Sequence, residues 1–236
     1  FASDASATSV GTLLVDNDGS QGQSSTECGY VSGGRVPVPQ GNYINTIQKF
    51  PFSADSSASD VGELTEARSR GTGQSAVIPG FGYTTGGGGP SFENVIDKFP
   101  FSADASATDV GNLSQARNCT AAGQSSLICG YMSGGKDTSA TSTIDKFSFT
   151  ADGNATDVAE LGKYVLFASG QSSSEFGYTS GGQIPSPNLV PADPPSGNVN
   201  GIRKFPFASE TPTVDGGELG PSGFKNNDAV GQSSVS

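Results

Sequence analysis

Three observations predict an all-β fold, a β-propeller of four-stranded antiparallel blades. One short phrase recurs at about fifty residues, a period that suits one small sheet per unit. Its copies are Ile47-Gln48-Lys49-Phe50-Pro51-Phe52, Ile96-Asp97-Lys98-Phe99-Pro100-Phe101, Ile144-Asp145-Lys146-Phe147-Ser148-Phe149 and Ile202-Arg203-Lys204-Phe205-Pro206-Phe207. Glycine supplies 34 of 236 residues and apolar types only 33%. That is about twice the usual glycine share, and it suits many short strands, tight turns and a thin core repeated many times. Almost no segment carries apolar residues at the i, i+3, i+4, i+7 spacing of a helix. The expectation is a single domain over residues 1–236, with about five blades starting near Phe1, Phe52, Phe101, Phe149 and Phe207. More blades are expected if the chain is a piece of a longer polypeptide.

Each unit reads in the same order. After the marker Phe comes a Ser/Ala/Asp segment such as Ser102-Ala103-Asp104-Ala105-Ser106-Ala107-Thr108-Asp109. Small polar residues that bond their own backbone make it a turn. Val-Gly-x-Leu follows, as in Val61-Gly62-Glu63-Leu64 and Val110-Gly111-Asn112-Leu113, and is predicted to be the outermost strand. A variable stretch with Ala67-Arg68 or Ala116-Arg117 leads to Gly-Gln-Ser, at Gly22, Gly73, Gly123, Gly170 and Gly231. Gly-Tyr-x-x-Gly-Gly closes the unit, as at Gly82 to Gly87. The Gln-Ser and Gly-Tyr segments form the inner hairpin, whose glycines let backbones approach near the axis. Gly-Gly ends it because the reversal needs positive φ. Ile-x-Lys-Phe-Pro-Phe is apolar on both faces, as a blade between two neighbours requires, and its Pro marks a strand end or sheet edge.

The order of diglycine, aromatic strand, turn, x-x-Leu and Arg resembles the kelch repeat. Gly134-Gly135, Phe147-Ser148-Phe149, Val158-Ala159-Glu160-Leu161 and Arg117 fill those places, with Val where kelch sequences carry Trp. The resemblance covers essentially the whole chain and implies propeller blades. The wording of the run from Ile96 to Leu113 also resembles repeats in virion-associated proteins of marine viruses, especially phages of cyanobacteria. That resemblance implies a structural tail or fibre protein on the virion surface. It would attach to a host-surface glycan or protein, with other virion proteins as partners in a larger assembly.

Net charge is −11, which speaks against nucleic acid, since phosphate neutralisation needs clustered Lys and Arg. No apolar run reaches the ~20 residues of a membrane span, so no membrane insertion is expected. Histidine is absent. Ser-His-Asp hydrolysis, the common zinc and copper sites, and a kelch-type copper oxidase lose their main residue. No cofactor, metal or catalytic residue is expected, and the chain is read as a non-enzyme. A glycan-active propeller enzyme and an intracellular kelch-type scaffold are the alternatives. Cys28 and Cys129 fall at one phase of different repeats, and Cys119 and Cys129 flank a hairpin; free thiols are expected.

The in-phase Asp turns, such as Asp104-x-Ser106-x-Thr108-Asp109, present oxygens that calcium favours. Backbone capping within the turn is the preferred reading. Lys49, Lys98, Lys146 and Lys204 are read as a solvated strand edge, where lysine discourages edge pairing, over a ring for an anionic glycan. The variable connections after Gly-Gly, residues 35–46, 88–95, 136–143 and 183–201, carry more information. Insertions in repeat proteins map to loops on one face, often the binding face. Tyr43, Phe92 and Asn188 are the candidate ligand-binding residues there, the last in a stiff stretch with five prolines.

Overall fold

The structure, a computed structural model, describes residues 7–118, 122–184, 197–198, 200–209 and 211–220. Among them there is no helix, and strands form four four-stranded antiparallel sheets with one two-stranded hairpin. The first sheet holds β1 (Gln21–Ser24), β2 (Cys28–Arg35), β3 (Tyr43–Pro51) and β4 (Ser59–Glu63). The second holds β5 (Thr72–Ala76), β6 (Phe81–Thr85), β7 (Val95–Pro100) and β8 (Thr108–Asn112). The third holds β9 (Ala122–Ser125), β10 (Cys129–Ser133), β11 (Thr143–Ser148) and β12 (Thr156–Glu160). The fourth holds β13 (Ser169–Ser172) and β14 (Phe176–Ser180). The hairpin β15 (Gln183–Ile184) and β16 (Gly197–Asn198) follows, then β17 (Gly201–Pro206) and β18 (Val214–Glu218) complete the sheet. About five blades were expected; four are present among the described residues, because Gly231 and the end of the fifth unit, residues 221–236, lie outside them.

Strand order follows chain order within each sheet, from Gly-Gln-Ser inside to the Val-Gly strand outside. In the second to fourth sheets the diglycine ends the second strand with positive φ, 58° at Gly86 and 104° at Gly87, while β2 runs on through Gly33-Gly34 to Arg35. Pro51, Pro100 and Pro206 are the last residues of their strands, where a missing N–H breaks no ladder. The pairing of third and fourth strands slips at the same place in every sheet, at Ile47/Gln48, Val95/Asp97, Ile144/Asp145 and Ile202/Arg203. A bulge there aims the next side chain at the preceding sheet.

The innermost strands touch in series, β1 to β5 to β9 to β13, and nothing comparable joins β13 back to β1 among the described residues. Their glycines allow the approach: a Cβ on Gly123 would lie 2.7 Å from the Gly73 carbonyl oxygen, and one on Gly170 would run into that of Gly123. Each sheet then grips the next with the same parts. Gln23 donates its Nε2 to the Tyr83 carbonyl oxygen at 2.9 Å, Gln74 to that of Tyr131 at 2.9 Å, and Gln124 to that of Tyr178 at 3.0 Å. Tyr30 stacks on Phe101 at 4.8 Å, Tyr83 on Phe149 at 4.9 Å and Tyr131 on Phe207 at 4.8 Å. Backbone bonds tie the rims, with Ala107 N donating to Glu63 O and Ala155 N to Asn112 O, each at 2.8 Å. Thr12 O accepts from Ala58 N in the same way, so the segment around Val10-Gly11-Thr12 takes the place of an outer strand against the first sheet.

Two joints enclose an ion pair. Arg68 reaches Asp97 at 2.8 Å, and Arg117 reaches Asp145 at 2.7 Å, with all four side chains fully buried. Asp97 also accepts from Thr65 N and Oγ1, and Asp145 from Ser114 N. Burial pulls the Arg117 guanidinium below its usual range, and the Asp145 charge opposes the shift. The corresponding pairs of positions hold Asn17 and Gln48 at the first sheet, and Val165 and Arg203 between the third and fourth. The lysines do not lie at a strand edge as expected. They stand in the third strands, paired on both sides, and reach across joints: Lys49 bonds Asp104, and Lys98 bonds Asp152 at 2.8 Å. The Asp turns cap their own backbone, Asp60 accepting from Gly62 N at 3.1 Å and Asp109 from Gly111 N at 3.0 Å. Cys28 is a free thiol, Cys129 sits on a different sheet, and Cys119 lies outside the described residues.

Candidate functional site

The connections after the diglycines and the linkers into the innermost strands share one end of the molecule. Isolated bridges stitch them together at Asp18 and Arg35, Ser69 and Gly88, Asn118 and Lys136, and Leu166 and Gln183. Tyr43 opens β3 at this end and is 36% exposed; Phe92 is 39% exposed. The Arg35 guanidinium lies 5.9 Å from the Tyr43 ring centre, and its Nε donates to Gly41 O at 3.2 Å. Gly88 bridges to Phe92 within its own loop. Gly89 faces the first loop, since a Cβ there would come within 3.9 Å of Tyr43 Cδ2. The structure therefore places Tyr43 and Phe92 on adjoining loops of one face. Asn188 and the proline-rich stretch lie outside the described residues.

Two residues that the sequence did not single out sit at the centre of this end. Arg70 and Phe167 precede β5 and β13 with φ of 58° and 55°, the only non-glycine residues at positive φ among those described. Gly19 fills the same place before β1 at 62°. Left-handed backbone costs a side-chain-bearing residue about 1–2 kcal/mol, and such strain concentrates where function holds it. The two meet across non-adjacent sheets, the Arg70 guanidinium 5.7 Å from the Phe167 ring centre. Their signal in sequence was Gly19, the residue type the position prefers.

A carboxyl pair completes this face. Glu66 leaves the first sheet and Glu93 enters the second. Burial first, then the charge and hydrogen bond of Glu93, push the Glu66 carboxyl up. Glu93 Oε1 accepts from Ser91 Oγ at 2.6 Å. The pair departs from the repeat, whose other units hold Gln115 or Lys163 and Ile44 or Thr141 at these positions. No group of three His, Cys, Asp or Glu side chains among the described residues stands ready for a metal ion. No helix among them is long and apolar enough to cross a membrane.

The class defined so far is an all-β repeat protein of blade-like sheets with one loop-bearing end. Compared with known protein families and with curated proteins, the chain finds no match in either.

Proposed function

We propose that the chain is a rigid display module, structural and adhesive rather than catalytic, on the surface of a virus particle. The loop end binds a host-surface glycan or protein, and the rest packs among other virion proteins. The particle setting rests on the resemblance of the repeat wording to virion-associated proteins. The binding role rests on one observation: two strained residues, Arg70 and Phe167, meet at the loop end that also exposes Tyr43 and Phe92. A flat aromatic beside a guanidinium suits a sugar ring carrying an acidic group, by stacking and charge together. Identical joints hold the loops still, so several weak contacts add through fixed spacing.

A glycan array and host-cell binding test this. Tyr43→Ala and Phe92→Ala are expected to lower binding at unchanged melting temperature. Arg70→Gly is expected to lower binding while raising stability by up to about 1 kcal/mol, because glycine relieves the left-handed strain. Loss of stability with unchanged binding would refute the role given to Arg70. A glycan-active enzyme is the second reading, with Glu66 and Glu93 as the carboxyl groups that break the repeat. Turnover of purified polysaccharide that disappears in Glu66→Gln or Glu93→Gln would establish that reading instead.

A further inference from the structure

The inner hairpins turn at the end opposite the loops. The residues at the turn tips are Thr26-Glu27, Val77-Ile78-Pro79-Gly80, Leu127-Ile128 and Ser174-Glu175, in order of sheet. The middle two turns are aliphatic and open to solvent: Val77 is 48% exposed, Ile78 82%, Leu127 70% and Ile128 62%. They are neighbours. Ser75, two residues before Val77, donates its N–H to Oγ of Ser125, two residues before Leu127, at 3.2 Å. Ser24 is joined to Ser75 and Ser125 to Ser172 by the same bond at 2.9 Å. The inner rim therefore runs acidic, apolar, apolar, acidic, with Glu27 and Glu175 exposed on either side.

The fold does not ask for aliphatics at the third turn; the second runs on through Pro79-Gly80 and closes by Gly80 N to Ala76 O at 2.9 Å. The polar turns close with the same backbone bond as the third, Ser25 N to Cys28 O at 2.9 Å, Ser173 N to Phe176 O at 2.9 Å and Ser126 N to Cys129 O at 2.8 Å. Contiguous exposed apolar surface rimmed by polar residues marks an interaction site. We propose that this rim docks a protein segment whose apolar side chains are flanked by lysine or arginine. The flanking glutamates select the charge. Lys49 and Lys98 are held by Asp104 and Asp152. An anionic bilayer is disfavoured by the same two carboxylates and by the net charge of −11. The site is separate from the loop end and does not rest on its function.

The test writes the flanking turns into the middle ones: Val77→Thr, Ile78→Glu, Leu127→Ser and Ile128→Glu together. Leu127→Ser and Ile128→Glu write in a turn that the chain already makes elsewhere, and circular dichroism and melting confirm that the variant folds. The probes are synthetic peptides with a Leu-Phe-Leu centre flanked by lysines, and the same centre flanked by glutamates, titrated into the full chain. The lysine-flanked peptide is expected to bind, the glutamate-flanked one about tenfold or more weaker, and the variant to lose a similar factor. Rising salt is expected to weaken the lysine-flanked peptide. Absence of binding, or equal binding by chain and variant, overturns the proposal. Self-association, or binding to phosphatidylcholine–phosphatidylglycerol vesicles, overturns it if the variant abolishes that association while no peptide binds.

Discussion

Tyr83 shows what a single residue contributes to a joint. Its ring is fully buried between Phe147 and Phe149 of the next sheet. Burial, with a smaller contribution from the Asp152 charge, pushes the phenol up to about 12. A free phenol titrates near 10. The neutral form is the one the fold favours, so this contribution to stability is whole below pH of about 10 and is lost as pH climbs from there to about 12. Denaturant unfolding of the native chain against Tyr83→Phe is expected to diverge over that window, with the phenylalanine variant falling less. At neutral pH the two should agree within about 0.5 kcal/mol, because the Tyr83 hydroxyl has no hydrogen-bond partner among the described residues. The buried ion pairs behave differently. Nε and Nη1 of both Arg68 and Arg117 have no acceptor among the described residues, so each guanidinium depends on its one carboxylate and a backbone carbonyl. Asp145→Ala leaves a buried cation and is expected to cost about 3–5 kcal/mol. A loss under about 1 kcal/mol in urea unfolding would show that water reaches the site.

At the scale of the strand, the innermost glycines set the distance between sheets. The nearest atom to a methyl added at Gly73 or Gly123 is a backbone carbonyl oxygen, which cannot swing away. Gly123→Ala is expected to lower stability by about 1–3 kcal/mol, and to lengthen the bond from Gln74 to Tyr131. Gly153, with open space around the Cβ position and no left-handed φ, is the control: alanine there should leave melting unchanged. The outer strands carry less. β18 is exposed along its length while β11 is mostly buried, so hydrogen exchange should be fastest in outer strands and slowest in the third strands.

Taken as a whole molecule, the order of strands, the glycine turns and the inner position of Gly-Gln-Ser were legible in the sequence, because each repeats in phase and phase survives without coordinates. What crosses from one unit to the next was not. Arg68 and Asp97 stand 29 residues apart, one in the linker between sheets and the other in β7, and the first and last joints use other residues, so the pair does not recur through the chain. The lysines looked like edge guards because a repeat shows which residues recur and not what the neighbouring sheet presents to them. Of the candidate site, Tyr43 and Phe92 were found from loop variability. Arg70 and Phe167 were missed because a backbone angle leaves a trace only where glycine marks it, as at Gly19. The aliphatic turns were in plain view as Val77-Ile78 and Leu127-Ile128, yet apolar letters beside a strand read as core until their exposure is known.

The stacking of Tyr on the Phe of the following sheet gives the chain a direction, like a line of bricks with a tongue on one side and a groove on the other. Remove one brick, or copy it, and the tongue still faces a groove. Unequal recombination between such similar gene segments would therefore change the length of the line without first breaking it. A lineage could vary how many loops it presents faster than it could alter any one of them.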